Sequence, residues 1–230
     1  MLAASWSQYL RGRGQPEPSP VRAGSSFIRT SRGGARAGIQ EFGKRESHMN
    51  DAADQYRRRA DAFEQLITNT LPERWDSQSP CTQWTARGVV AHVVDDSRRI
   101  VREQSVLPEV APFADFDNPL AAFQAARAVI EQVLADPVTP EKAVVFMQWS
   151  LSFDLPQHSW DLAKATGQDA SLDPAEVELL WGSLSGNPRL WEWQRASGWY
   201  AAPVPIPENA PLQDRVLGLL GRDPNWQPPS

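Results

Sequence analysis

Apolar residues return every three or four positions in successive stretches of this chain, and prolines or glycines close most of those stretches. That period matches one face of an α-helix, and it restricts the chain to helices packed side by side. Tyr56, Ala60, Phe63, Ile67 and Leu71 predict a helix over 51–71, with Arg57, Arg58, Arg59 and Glu64 mostly on its other faces and Pro72 helping to stop it. Val89, Val90, His92, Val93, Ile100 and Val101 predict a second helix over 86–105, with Thr85 as its N-cap. Asp95, Asp96, Arg98 and Arg99 fall on the side of that helix expected to be solvated. Leu120, Phe123, Ala126, Val129, Ile130 and Val133 predict a third helix over 119–136, capped by Asn118 and closed at Asp136-Pro137.

A fourth helix should end near Gly167, a natural left-handed stop. Residues 139–150 suit either a strand-like loop or its first turns. Asp173-Pro174 is a cap followed by a first helical residue, and it opens a fifth helix with Val177, Leu180 and Trp181. Asn187-Pro188 breaks that pattern, and 189–196 can add a short turn. The alternating prolines from Pro203 to Pro211 forbid a helix. A short amphipathic helix over 212–221 follows, ended by Gly221 and Asp223-Pro224. The expected fold class is all-α.

With 230 residues, the chain can build one domain with a full core. No apolar run approaches the ~20 residues needed to span a bilayer. No signal-like apolar segment follows Met1. The single cysteine, Cys81, excludes an intramolecular disulfide framework and suits a reducing cytoplasm. Net charge is −5, unevenly spread: residues 1–48 carry +5 and 49–230 carry −10. An acidic main domain argues against nucleic acid as the principal partner. Residues 1–48, rich in Gly, Ser, Arg and Pro, predict a disordered basic arm. The arm can be read as a membrane- or nucleic-acid-touching tail, as a transit-like peptide, or as sequence upstream of a true start at Met49. The last is favoured, because Met49 leads straight into helical pattern. Residues 49–200 are then the helical domain, and 201–230 an extended segment and short helix packing on it.

The chemistry concentrates in Asp154-Leu155-Pro156-Gln157-His158. A carboxylate and an imidazole four residues apart on a helix share a face and can grip one metal ion. Outside the arm, which holds His48, the only other histidine is His92, on the apolar side of the second helix. A His92/Asp154/His158 metal site inside a helical bundle is therefore expected. The alternative for His92 is an ordinary core histidine. Pro156 interrupts the pair and predicts that Asp154 sits just before the helix or in its first turn.

Pro80-Cys81-x-x-Trp84-Thr85 followed by His92, then Asp154-x3-His158-x-Trp160-Asp161-Leu162-Ala163-x-Ala165-Thr166-Gly167, resembles one family. It is the actinobacterial DinB-like metal-binding proteins related to mycothiol-dependent maleylpyruvate isomerase. Pro203-Val204-Pro205-Ile206-Pro207 and Leu219-Leu220-Gly221-Arg222-Asp223-Pro224 are similar to one branch of it. The resemblance covers about 50–226. It implies an antiparallel four-helix bundle and a divalent metal, usually zinc, on His92, Asp154 and His158. Several relatives use a small thiol such as mycothiol as cosubstrate.

Three nitrogen and oxygen ligands leave a fourth zinc position for water or substrate. A thiol there could be held as thiolate and add to an electrophilic carbon. The favoured expectation is a thiol-dependent transferase or isomerase, with a small thiol and an electrophile as partners. The alternative is a non-catalytic bundle whose ion is structural or supports a partner. A metal-dependent hydrolase is weaker, since no obvious general base stands beside the ligands. Asp161, three residues beyond His158, can accept a hydrogen bond from a ligand histidine, or serve helix packing or a cap. Trp84 and Trp160 are expected in the core or as pocket wall, Cys81 as a small buried residue, and Arg222 with Asp223 as a terminal cap. The chain is expected as a monomer or homodimer.

Overall fold

The computed structural model of the protein describes residues 51, 53–104, 118–136, 141–196, 198 and 200–229, with backbone alone for 103–104, 141–153, 190 and 193. The expectations for the arm and His48 lie outside these residues. The described residues fall in one compact unit, His48–Ser230. They form seven α-helices: α1 (53–69), α2 (Ala86–Gln104), α3 (Pro119–Ala135), α4 (Glu141–Thr166), α5 (Pro174–Gly186), α6 (Pro188–Ala196) and α7 (Leu212–Leu219). Among the described residues there is no strand, only one isolated bridge between Gln78 and Thr85. No described helix is long and apolar enough to cross a membrane.

Local side-chain chemistry sets the helix starts. Asn118 accepts from the Ala121 N–H at 3.1 Å, Asp173 from Ala175 at 2.7 Å and Thr85 from Gly88 at 3.3 Å. Each satisfies a first-turn donor that the helix itself leaves open. Gly167, at φ +74°, ends α4.

Helix α4 resolves the ambiguity over 141–150, since it runs unbroken from Glu141, while 139–140 lie outside the described residues. It also corrects the expected place of Asp154. Pro156 lies in the helix interior, and Asp154 is well inside the helix rather than at its entry. An interior proline forfeits one ladder bond and crowds the preceding turn, at a cost of about 3 kcal/mol. Burial offsets that cost: every residue from Leu155 to Ala163 is buried.

Two apolar clusters result. The first joins α1 (Tyr56, Phe63, Ile67), α2 (Val89, Val93, Ile100), α3 (Phe123, Ile130) and α4 (Leu155, Leu162). Phe63 and Phe123 meet edge-to-face at 5.1 Å. The second joins Val177, Leu180 and Leu184 of α5, Trp191 of α6, and Val216 and Leu220 around α7. Helices α5 and α6 therefore share their core with the C-terminal extension.

The extended segment docks on α7 through the Val204 N–H, which donates to the Gly218 carbonyl at 2.9 Å. A Cβ at Gly218 would lie 2.4 Å from Ile206 Cγ1 and 2.8 Å from the Val204 oxygen. Gly218→Ala should cost about 1–3 kcal/mol by overpacking. Gly182→Ala, where a Cβ meets nothing within 4 Å, should be neutral or stabilising by up to about 1 kcal/mol. Urea unfolding of both variants checks the contrast, and equal midpoints would refute it.

Candidate metal centre

The loop before α2 carries the first wall of the site. The Ser79 N–H donates to the Trp84 carbonyl at 3.0 Å and the Ala86 N–H to Ser77 at 2.8 Å. Inside this turn, Gln78 Nε2 donates to the carbonyls of Ser79, Cys81 and Trp84, and Ser79 Oγ lies 2.8 Å from the Trp84 oxygen. The turn so fixed lays the Trp84 indole on the His92 ring, with centroids 4.2 Å apart and planes 24° from parallel. Trp84 also meets His158 at 5.7 Å.

Helices α2 and α4 bring the three expected ligands together. One ligand atom each from His92, Asp154 and His158 all lie within 4.8 Å of one another. His158 Nε2 is 3.8 Å from Asp154 Oδ1, so the four-residue spacing survives Pro156. The His158 side chain is buried, while that of Asp154 keeps 19% exposure and His92 is half-buried. Two of the three side chains thus keep some exposure to solvent.

Behind His158 stands Asp161, fully buried, with Oδ2 3.0 Å from His158 Nδ1. Arg222 reaches the same carboxylate with Nε at 2.9 Å and Nη2 at 2.8 Å. The Gln157 amide oxygen, turned to suit its neighbours, accepts from Arg222 Nη1 at 3.0 Å. Arg222 does cap the end of α7, its N–H donating to the Leu217 carbonyl at 2.9 Å and its Nη1 to the Leu220 carbonyl at 3.3 Å, but its guanidinium also enters the polar centre, where a buried carboxylate needs a paired charge. Although burial opposes its charge, the bonds from His158 and Arg222 hold the Asp161 carboxyl below the usual range. Asp161 thus accepts from Nδ1–H, leaving the Nε2 lone pair of His158 on the Asp154 side. Cys81 Sγ lies 2.8 Å from Arg222 Nη2 and 3.7 Å from Asp161 Oδ2. Burial, then Asp161, pushes its thiol up to about 12, so it stays protonated at neutral pH.

The expectation that Asp96 and Arg99 are solvated is also corrected. Their side chains keep only 14% and 18% exposure and pair with each other, whereas Asp95 is exposed. Asp96 turns inward because it is four residues beyond His92, on the same face of α2. It hydrogen-bonds Asp154, whose carboxyl is raised to about 7 by burial first and by Asp96 second. His92 is lowered to about 4, by burial and then by His158. Burial raises the Tyr200 phenol far above its ordinary range, with Asp154 and Asp96 adding to the effect. The spacing His92-x3-Asp96 mirrors Asp154-x3-His158 and was the available signal for Asp96. Trp160, two residues from His158, lines a different cleft on α4.

Removing one partner of the buried pair should cost about 3–5 kcal/mol. Arg222→Met and Asp161→Asn should each show that loss in denaturant unfolding, and the double variant less than their sum. A pH profile tests the cluster. Between pH 4 and 6.5 the unfolded chain protonates His92 and the folded chain does not, so this group makes stability rise with pH. Asp154 acts oppositely, since the folded chain keeps its proton up to about pH 7. The two slopes offset each other in metal-free protein. Asp154→Asn should leave the His92 limb exposed, with stability rising by about 1.4 kcal/mol per pH unit. A flat profile in that variant would refute the assignment.

No family model matches the chain, and no solved structure matches it. Two curated proteins of Mycobacterium tuberculosis do: Uncharacterized protein MT0763, from strain CDC 1551 / Oshkosh, and Uncharacterized protein Rv0738, from strain ATCC 25618 / H37Rv. Each is 30% identical over 181 residues, covering 73% of this chain and 95% of the relative. At that identity and coverage, the chain belongs to the same family as these two mycobacterial proteins.

Proposed function

We propose that the chain is a DinB-like antiparallel four-helix bundle holding one divalent ion, zinc foremost, on His92, Asp154 and His158. We propose further that it is a transferase or isomerase using mycothiol or a similar small thiol on a small electrophile. The convergence of three ligand atoms within 4.8 Å carries this reading. Two imidazole nitrogens and one carboxylate oxygen are the donor set of catalytic zinc sites, which keep a fourth position for substrate. The partial exposure of Asp154 and His92 suits entry of a ligand better than a closed structural site.

Charge supports the thiol. Asp96, Asp154 and Asp161 face Arg99 and Arg222, a net −1 when all five are ionised. A divalent ion brings that to +1, which one thiolate balances. A metal ion held there supplies the positive charge that keeps a thiol deprotonated at neutral pH. Asp161 orients His158, Trp84 shields His92 from water, and Tyr200 keeps its proton as a hydrogen-bond donor. Cys81, held as thiol, is not the nucleophile. The reading places the protein in the cytoplasm, without nucleic acid or membrane as partner.

Plasma mass spectrometry of tag-free protein tests it. Wild type should carry about one divalent ion per chain, and His92→Ala and His158→Ala should carry none. Because Asp154 must lose a proton, affinity should rise about ten-fold per pH unit below pH 7. Folded wild-type protein that takes up neither zinc nor cobalt would sink the reading. A cobalt spectrum unmoved by mycothiol would leave the ion a structural role.

A further inference from the structure

A second cleft, of about 360 Å³, opens on the other side of α4 from the metal ligands, between α1, α4 and the α4–α5 connector. Its size lies at the lower end of small-molecule sites. Ala62, Leu66, Pro156 and Leu172 give it apolar walls. Ser159 and Trp160 line it as well, 8% and 2% exposed. Neither the Ser159 hydroxyl nor the Trp160 indole N–H has a hydrogen-bond partner among the described residues, although buried polar groups in proteins are almost always paired.

The acidic groups at the cleft each hold a partner already. Asp169 accepts from the Ser171 N–H at 2.9 Å, and Asp173 caps α5. Glu176 is paired with Arg59 at 2.7 Å. Arg58, exposed at the cleft, has no ion-pair or hydrogen-bond partner among the described residues. The polar groups without a partner there include two buried donors, the Ser159 hydroxyl and the Trp160 N–H, and one cation, Arg58, beside apolar wall.

We propose that this cleft binds a small amphipathic carboxylate, its apolar body against Leu66, Pro156 and Leu172 and its carboxylate on Arg58, with the Ser159 hydroxyl and the Trp160 N–H as further donors. The site is separate from the metal centre and does not depend on it.

The test uses 15N-labelled full-length protein, with 4-phenylbutyrate and its uncharged amide as probes. The indole N–H resonance of Trp160, assigned by its loss in Trp160→Phe, reports binding. The acid should move this resonance saturably, and the amide should bind about ten-fold more weakly, the increment of a charge-assisted contact. Arg58→Gln, an exposed change that leaves the fold intact, should abolish that preference, and Ser159→Ala should weaken both probes. His158→Ala should bind the acid as wild type does, which separates this outcome from the fate of the metal reading. No saturable shift up to millimolar acid, equal binding of acid and amide, or an acid preference that survives Arg58→Gln would each overturn the proposal.

Discussion

A carboxylate with no exposed surface, set in a helical core, stays charged only if other groups replace its water. Asp161 is such a group, and the arrangement around the metal centre follows from how it is answered. Arg222 arrives from beyond α7 to cover both of its oxygens, and His158 donates to it from one turn away on α4. The pair also explains the shape of the C-terminal region. Gly221, at φ +78°, turns the chain tightly against Ala201, where a Cβ would lie 2.7 Å from its methyl, and delivers Arg222 inward. Gly218 lets the proline-rich segment lie on α7.

Helix α4 carries chemistry on opposite sides because it is buried all round from Leu155 to Ala163. One side presents Asp154 and His158, the other Pro156, Ser159 and Trp160. Facing it, α2 contributes His92 and Asp96. By themselves the groups of the cluster favour neutrality, with an uncharged imidazole at His92 and a raised carboxyl at Asp154. That is how a partly buried group of acids and bases lowers its desolvation cost.

Much of this was legible in the residues themselves. Asn118, Thr85 and Asp173 act through bonds to their own next turn, so their cap roles can be read locally. The convergence of His92 and His158 could be read because, outside the arm, the chain holds just two imidazoles. The start of α4 could not, since the β-branched and aromatic run Val144-Val145-Phe146 suits a strand as well as a helix. Pro156 misled for a related reason: propensity puts it at a helix entry, and tertiary burial overrode that preference. Asp96 looked solvated because charges on helices usually are. Arg222 gave no signal at all, its partner lying 61 residues earlier.

The two apolar clusters differ in size, and the smaller, built from α5, α6 and α7, would be expected to open more readily by itself. The Arg222 guanidinium ties that opening to the larger cluster. Detaching the C-terminal segment strands an ionised carboxylate in the core, which adds about 3–5 kcal/mol to the cost of that opening. Hydrogen exchange in α7 should therefore be slower than the smaller cluster alone would set.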